Sequence, residues 1–464
     1  MKVFQPKIFT AFKGYSKKQL LNDVIAGIIV AIIALPLSIA LAIASGVSPE
    51  KGLYTAIIAG FVISLLGGSR VNISGPTAAF ATIVAGIVFD FGIDGLVIAT
   101  ILAGIILILL GLLRVGALIK FIPKSITIGF TSGIAITILI GQIKDFLGLT
   151  YPAGTHAIET SEKIIAVFNN LHTINWLALA VGAFALAILI IWPKISKKIP
   201  GSLIAVLAGT LLLLLTGLNV NTIGDLYTIS SALPSFSLPG FEAETIVKVL
   251  PSAFTIAILA GIESLLSCVV SDRMIDDTHN PNTELIALGL GNVFSGMFGG
   301  IPATGAIART AANVRNGGRS PLSGIVHAVV LLLILVLLMP YASLIPMPVI
   351  AAILFIVAYN MSEWREFLHM IKQKDACEIC VLVLTFALTV AFDLVVAIIC
   401  GLALHYLLVI IKKIIAKIKS KNNEEVAVEG DNLTIGEPID TEETLSAMTI
   451  VEGLSMNQDD NSEL

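Results

Sequence analysis

The sequence predicts an all-α polytopic membrane protein of fourteen transmembrane elements, two of them half-helices, with its second half an inverted copy of its first. Three observations carry this. Hydrophobic residues make up 56% of the 464 positions and charged residues only 13%, against about 25% charged in a soluble domain. That leaves too few charges to coat a water-facing surface. Apolar runs of span length recur along the chain, and a proline–glycine pattern of the first half returns in the second.

A span needs about 20 apolar residues. Such runs lie near 23–45, 53–67, 95–113, 125–147, 174–192, 202–217, 246–270, 284–299, 322–340, 346–360, 376–391 and 393–414. Two shorter apolar stretches, near 77–89 and 303–314, follow prolines and complete the fourteen. The stretch before the first span is polar, with Lys2, Lys7, Lys13, Lys17 and Lys18, and shows no cleavable signal peptide.

Basic residues fall in alternate loops. Arg70; Arg114, Lys120 and Lys124; Lys194, Lys197 and Lys198; Arg315 and Arg319; and Lys372 and Lys374 share one side. Asp90, Asp94, Glu159, Glu162, Asp225, Glu242 and Glu244 share the other. Cytoplasmic loops are rich in Lys and Arg. Both termini are therefore expected inside, the C-terminal one beside Lys412, Lys413, Lys417, Lys419 and Lys421.

The net charge of −4 hides a split: twelve acidic residues lie between Glu424 and Glu463, and without them the rest carries +8. Residues 1–420 read as the transmembrane domain. Residues 421–464 read as an acidic tail that buries too little apolar surface to fold. Cys268, Cys377, Cys380 and Cys400 sit in or beside apolar segments, and the Cys377–Cys380 pair has no second ligand pair. No metal and no cofactor are expected. No H-E-x-x-H, G-x-S-x-G or Walker sequence occurs, which argues against a membrane enzyme.

Pro49 precedes the second span and Gly67-Gly68 ends it, 18 positions later; Pro281 and Gly299-Gly300 repeat the spacing of 18. Each pair leads to a proline opening a run of small residues, from Pro76 in one copy and Pro302 in the other. Seven elements separate the copies, and an odd number inverts the second. Paired Gly/Pro-interrupted segments in an inverted repeat point to the binding site of a secondary transporter.

A half-helix ending inside the membrane presents unpaired N–H groups and about half a positive charge. Two such starts facing each other form an anion site. Thr77, Ala78, Ala303 and Thr304 are small enough to let an anion approach the backbone, and the two threonine hydroxyls either bond the anion or cap the helix. Arg309 either adds positive charge beside the anion or anchors at the inner surface. Glu263 lies mid-span, where an ionisable group is a functional candidate. It suits proton coupling, or serves as a structural partner of Arg309. Ser267 follows on the same face. Pro36 breaks the first span ahead of Leu37 and Ser38. The offset from Pro36 to Ile262 equals that from Pro76 to Pro302, 226 positions, so these spans are repeat mates around one site. His327, His405 and Asp393 are lone polar residues that read as packing or interface groups.

The chain resembles the sulfate permease family of anion transporters. The resemblance rests on Leu35-Pro36, Gly52-Leu53-Tyr54, Gly68-Ser69-Arg70, Ile73-Ser74-Gly75-Pro76-Thr77, Gly261-Ile262-Glu263-Ser264-Leu265-Leu266-Ser267 and the run from Pro302 to Arg315. It implies a seven-plus-seven inverted repeat, with a core (about 20–115 and 245–343) moving against a gate (about 120–220 and 346–415). It implies substrate contacts from Leu37, Ser38, Thr77, Ala78, Ala303, Thr304, Ala308 and Arg309, with ion coupling at Glu263 and Ser267. The expected function is proton-coupled symport of a sulfate-like or dicarboxylate anion. A sodium-coupled bicarbonate transporter and an uncoupled channel or exchanger are the alternatives. A nucleobase transporter would want acidic or amide groups between Ala303 and Ala308, where there are none. The expected partners are a small anion, co-transported H+ or Na+ and membrane lipid, with a homodimer allowed and no nucleic acid. The family's usual C-terminal STAS domain is not expected in this chain, since only 43 residues follow Lys421.

Overall fold

The computed structural model describes residues 4–12, 14–116, 123–152, 157, 159–196, 199–240, 242–373, 375–392 and 394–431. Lys2, Lys13, Lys120, Lys197, Lys198, Lys374, Asp393 and the acidic tail beyond Asp431 lie outside the described residues. Contacts divide the chain into Met1–His405 and Tyr406–Leu464.

The helices are α1 (Ile8–Ala11), α2 (Lys17–Ala44), α3 (Pro49–Leu66), α4 (Ala81–Leu112), α5 (Lys124–Leu147), α6 (Thr160–Asn169), α7 (Trp176–Ile195) and α8 (Gly201–Thr216). There follow α9 (Ile223–Leu226), α10 (Ala243–Ile275), α11 (Pro281–Met297), α12 (Ile307–Arg315), α13 (Leu322–Leu338), α14 (Met347–Met361), α15 (Trp364–Lys372), α16 (Ala376–Ala391) and α17 (Leu394–Asp431). Among the described residues, nine helices are long and apolar enough to cross a membrane, and α8 and α16 are shorter apolar helices. α6, α9 and α15 were not legible as spans because each is too short. The helix of α17 carries the start of the acidic tail as far as Asp431.

Local chemistry sets the boundaries. Pro49 and Pro281 occupy the first turns of α3 and α11, where a missing N–H costs nothing. Asn280 caps α11 through Thr283 N, and Ser16 caps α2 through Gln19 N. The expected elements 77–89 and 95–113 form α4, interrupted at Gly92, whose φ of 67° and ψ of −168° lie outside the helical region. One expectation is corrected: Pro36 does not break its span. It lies inside a continuous α2. It removes one backbone donor, and packing against neighbouring helices holds the helix together.

α11 packs on α3 and α4, α10 on α4, and α13 on α2 and α3. Separately, α5 packs on α14 and α16, and α7 on α8 and α14. Ala178, Val181, Ala185, Ala205, Val349, Ala352 and Ile353 fill this second group, and Leu37 of α2 rests against it. In the first group α4 and α11 touch backbone to backbone. A Cβ on Gly104 would lie 2.6 Å from the Gly289 carbonyl oxygen, and one on Gly289 would lie 2.5 Å from that of Gly104. Small residues permit such contact, and tight packing replaces the hydrophobic drive that lipid removes.

The segment before α2 straps the ends of α3 and α10. Lys7 N donates to Gly67 O at 2.9 Å. Asp277 pairs with Lys7 Nζ at 3.0 Å and with Arg70 Nε at 3.1 Å. Partial burial pushes the Asp277 carboxyl up, but the Lys7 hydrogen bond, the Thr278 N–H and the two positive charges outweigh it and hold it below the ordinary carboxylate range. Its folded value therefore lies below its unfolded one. The strap's contribution is complete above the unfolded value, about pH 4, and is lost as pH falls through the folded value. Thermal melting of Asp277→Asn in detergent is expected to show a lower midpoint at neutral pH and a shallower decline on acidification. Identical pH profiles for the variant and the unaltered chain would refute this.

Candidate functional site

The two proline-opened stretches meet as a ribbon. β1 (Ser74–Gly75) pairs antiparallel with β2 (Thr304–Gly305), Ser74 opposite Gly305 and Gly75 opposite Thr304. Pro76 and Thr77 then lead into a 3-10 turn, Ala78–Phe80, that runs into α4. Ala306 leads into α12. Because the strands run in opposite directions, the two helix starts face each other across the ribbon.

The second half-helix begins at Ile307, four residues later than the apolar run indicated. The reason is local: the N–H and C=O of Ala303 are both taken by the Asn292 side chain, at 2.8 and 3.0 Å. Thr304 Oγ1 donates to Ala260 O at 2.9 Å. Ala306 N donates to Ile73 O at 2.9 Å. Ala303 and Thr304 are thus bonded to protein, and the first-turn donors of this half-helix belong to Ile307, Ala308 and Arg309.

The expected site residues separate by exposure. Leu37, Thr77 and Glu263 are partly exposed and Ala308 is exposed, whereas Ser38, Ala78, Ala303, Thr304, Ser267 and Arg309 are buried. The Thr77 hydroxyl is close enough to act on the Glu263 carboxyl, so α10 and the first half-helix start are neighbours. Arg309 is not an anchor at the inner surface. It is 3% exposed and reaches across the ribbon, donating from Nη2 to Pro76 O at 2.8 Å. A Cβ on Gly75 would lie 2.4 Å from Arg309 Nη1, so only glycine leaves room for the guanidinium. Among the described residues Arg309 has no ion-pair partner. The result is an uncompensated positive charge behind two helix starts, an arrangement that attracts anions.

Ser267 turns away from Glu263 into a buried network. Its Oγ donates to Asn72 Oδ1 at 2.8 Å and approaches Thr310 Oγ1 at 3.1 Å. Asn72 Nδ2 donates to Glu284 Oε1 at 2.7 Å, and Glu284 Oε2 accepts from Gly68 N and Ser69 N at 2.8 and 3.1 Å. Glu284, Asn72, Thr310 and Asn292 were missed by sequence reasoning. The available signal was the presence of Glu284 and Asn292 within an apolar run. The ribbon is also held reciprocally: Glu284 of α11 holds the turn after α3, while Thr55 of α3 accepts from Ile301 N at 2.7 Å in the turn after α11.

A cavity of 90 Å³ lies on the other flank of the first half-helix, bounded by Ala79, Thr82, Ile134, Thr137, Thr160 and Thr389. A larger one of 290 Å³, among Lys144, Asp145, Tyr151, Asn175 and Met347, touches none of the expected site residues. His405 Nδ1 lies 3.5 Å from Glu378. The four cysteines are unbridged.

Two facing half-helix starts from opposite halves of the chain define a membrane transporter built on an inverted repeat. Residues 20–385 match the sulfate permease family model. The chain is 44% identical over 401 residues to a putative sulfate transporter, YvdB, of Bacillus subtilis, covering 85% of this chain and 74% of that one. It is 33% identical over 430 residues to the bicarbonate transporter BicA of Picosynechococcus, covering 89% and 74%. The transmembrane domain of a cyanobacterial bicarbonate transporter BicA superposes with a TM-score of 0.74 at 31% identity, over 83% of this chain and 98% of that one. Murine Slc26a9, an anion transporter in the inward-facing state, shares the fold, with a TM-score of 0.80 over 88% of this chain and 71% of that one at 19% identity. This chain belongs to the sulfate permease family of multi-pass membrane anion transporters.

Proposed function

We propose that this protein is a secondary active transporter of a sulfate-like or dicarboxylate anion, driven by proton symport and working by alternating access. The observation that carries the reading is the ribbon that brings the two half-helix starts together, with the Arg309 charge, without an ion-pair partner among the described residues, crossing it and Glu263 near Thr77. The N–H groups and the arginine hold the anion electrostatically. A carboxyl in the same opening can carry a proton in with it. In this reading residues of about 20–115 and 245–343 are the moving core, and residues of about 120–220 and 346–415 are the gate. The protein sits in the plasma membrane with both termini cytoplasmic, where its basic loops favour that side, and a homodimer is compatible with its function.

Sodium-coupled bicarbonate transport is the second reading, favoured by the similarity to the bicarbonate transporter BicA. The Ser267 hydroxyl is bonded to Asn72 and Thr310, and the proton reading rests on Glu263 near the half-helix start. The test is uptake into proteoliposomes of labelled sulfate, bicarbonate, chloride and dicarboxylates, with and without pH and sodium gradients. Accumulation of sulfate or a dicarboxylate against its gradient is expected when the outside is acid, with no response to sodium. A current whose reversal potential ignores the pH gradient would indicate a channel instead. Failure of every small anion to move would overturn the reading.

A further inference from the structure

Three buried polar groups lie together behind the ribbon and take no part in the network around Glu284. Arg309 bonds Pro76 through Nη2, but its Nη1 has no hydrogen-bond partner among the described residues. The same holds for Ser74 Oγ, in the ribbon itself, and for both ring nitrogens of His327 in α13. Exposures are 3%, 1% and 0%. These groups are neighbours. A Cβ on Gly60 would stand 3.2 Å from Ser74 O and 3.9 Å from His327 Nδ1. A Cβ on Gly75, next to Ser74, would collide with Arg309 Nη1.

Buried polar groups are almost always bonded, and leaving several unbonded in one place is costly. Here their chemistry is complementary. Nη1 can only donate, a neutral imidazole has one accepting nitrogen and one N–H, and a serine hydroxyl does both. A water needs two to four polar partners to occupy a buried position, and these three side chains carry four atoms without a hydrogen-bond partner among the described residues.

We propose that His327 is a positioning residue for Arg309: with Ser74, and through a shared buried water, it fixes the second guanidinium nitrogen beneath the ribbon and so sets anion affinity. The inference rests on the anion-transport reading above. It gives α13, whose Ser323 also accepts from Asn313 of α12, a direct influence on the site. Without the imidazole, Arg309 keeps its single bond to Pro76 and can pivot about it, so its charge is no longer fixed relative to the backbone N–H groups of Ile307 and Ala308. A bond to a charged group lost in this way weakens binding by about tenfold.

The experiment compares His327→Leu, which removes both nitrogens at similar volume, with His327→Gln, which keeps an acceptor and donors. Initial rates of labelled anion uptake into proteoliposomes give KM and Vmax, and melting in detergent reports folding. The expected result is a KM raised about tenfold in the Leu variant and largely restored in the Gln variant, with Vmax and melting little changed. In an Arg309→Lys background, His327→Leu should then have little further effect on KM. An unchanged KM in His327→Leu overturns the inference, and so do equal losses in both variants accompanied by lower melting. Absence of anion uptake by the unaltered chain would remove the functional reading as well; normal uptake with His327 indifferent removes this inference alone.

Discussion

Glu263→Gln is expected to abolish proton-driven accumulation while sparing the fold. The amide keeps the size of the carboxyl and its hydrogen-bonding capacity toward the neighbouring Thr77 hydroxyl. It cannot take up and release a proton. Uptake driven by an acid exterior should fall by roughly tenfold or more, in keeping with the contribution of positioned proton-transfer groups. Anion exchange without a pH gradient should persist, because the helix-start donors and Arg309 are untouched. Two measurements decide it, pH-gradient-driven accumulation and counterflow of labelled anion in the same vesicles. Undiminished accumulation by the variant would move the coupling group elsewhere. Loss of both activities would make Glu263 part of the anion site and not of the coupling step.

Glu284→Ala should have the largest effect on stability. Its two oxygens accept from Gly68 N, Ser69 N and Asn72 Nδ2, and the side chain is buried. Truncation leaves Gly68 N and Ser69 N without an acceptor and Asn72 Nδ2 with only Ser264 Oγ at 3.3 Å, each lost bond costing about 1–3 kcal/mol. The total, roughly 3 kcal/mol or more, is a large share of a net stability of about 5–15 kcal/mol. The expected result is low yield and early melting in detergent, with Glu284→Gln intermediate because one accepting oxygen remains. Melting of Glu284→Ala at the temperature of the unaltered chain would show that these donors find other acceptors.

The fourteen elements were legible because a bilayer forces long apolar runs, and the paired proline and glycine spacings marked where those runs are interrupted. The ribbon was not legible. Two residues per strand show no period, so Ala303–Gly305 looked like the start of a helix. Asn292 decided otherwise by taking both backbone groups of Ala303. Glu263 was found because it stands alone in mid-span. Glu284 lies near the start of its run and resembled an ordinary boundary charge, and Asn72 and Thr310 acquire meaning only once the chain brings them together. Arg309 shows the limit from another side. Its charge was legible, but its direction depends on Pro76, 233 residues earlier, and no local pattern encodes that.

The reciprocal hold between the two halves has a consequence for biosynthesis. The turn amides at Gly68 and Ser69 find their acceptor 216 and 215 residues later. The first half therefore enters the bilayer with its central break unsecured, and remains so until α11 of the second half has been translated. Closure of the site is a late, long-range event. Each half acts as an assembly template for the other, so the ribosome delivers two incomplete pieces that become a working core only on meeting.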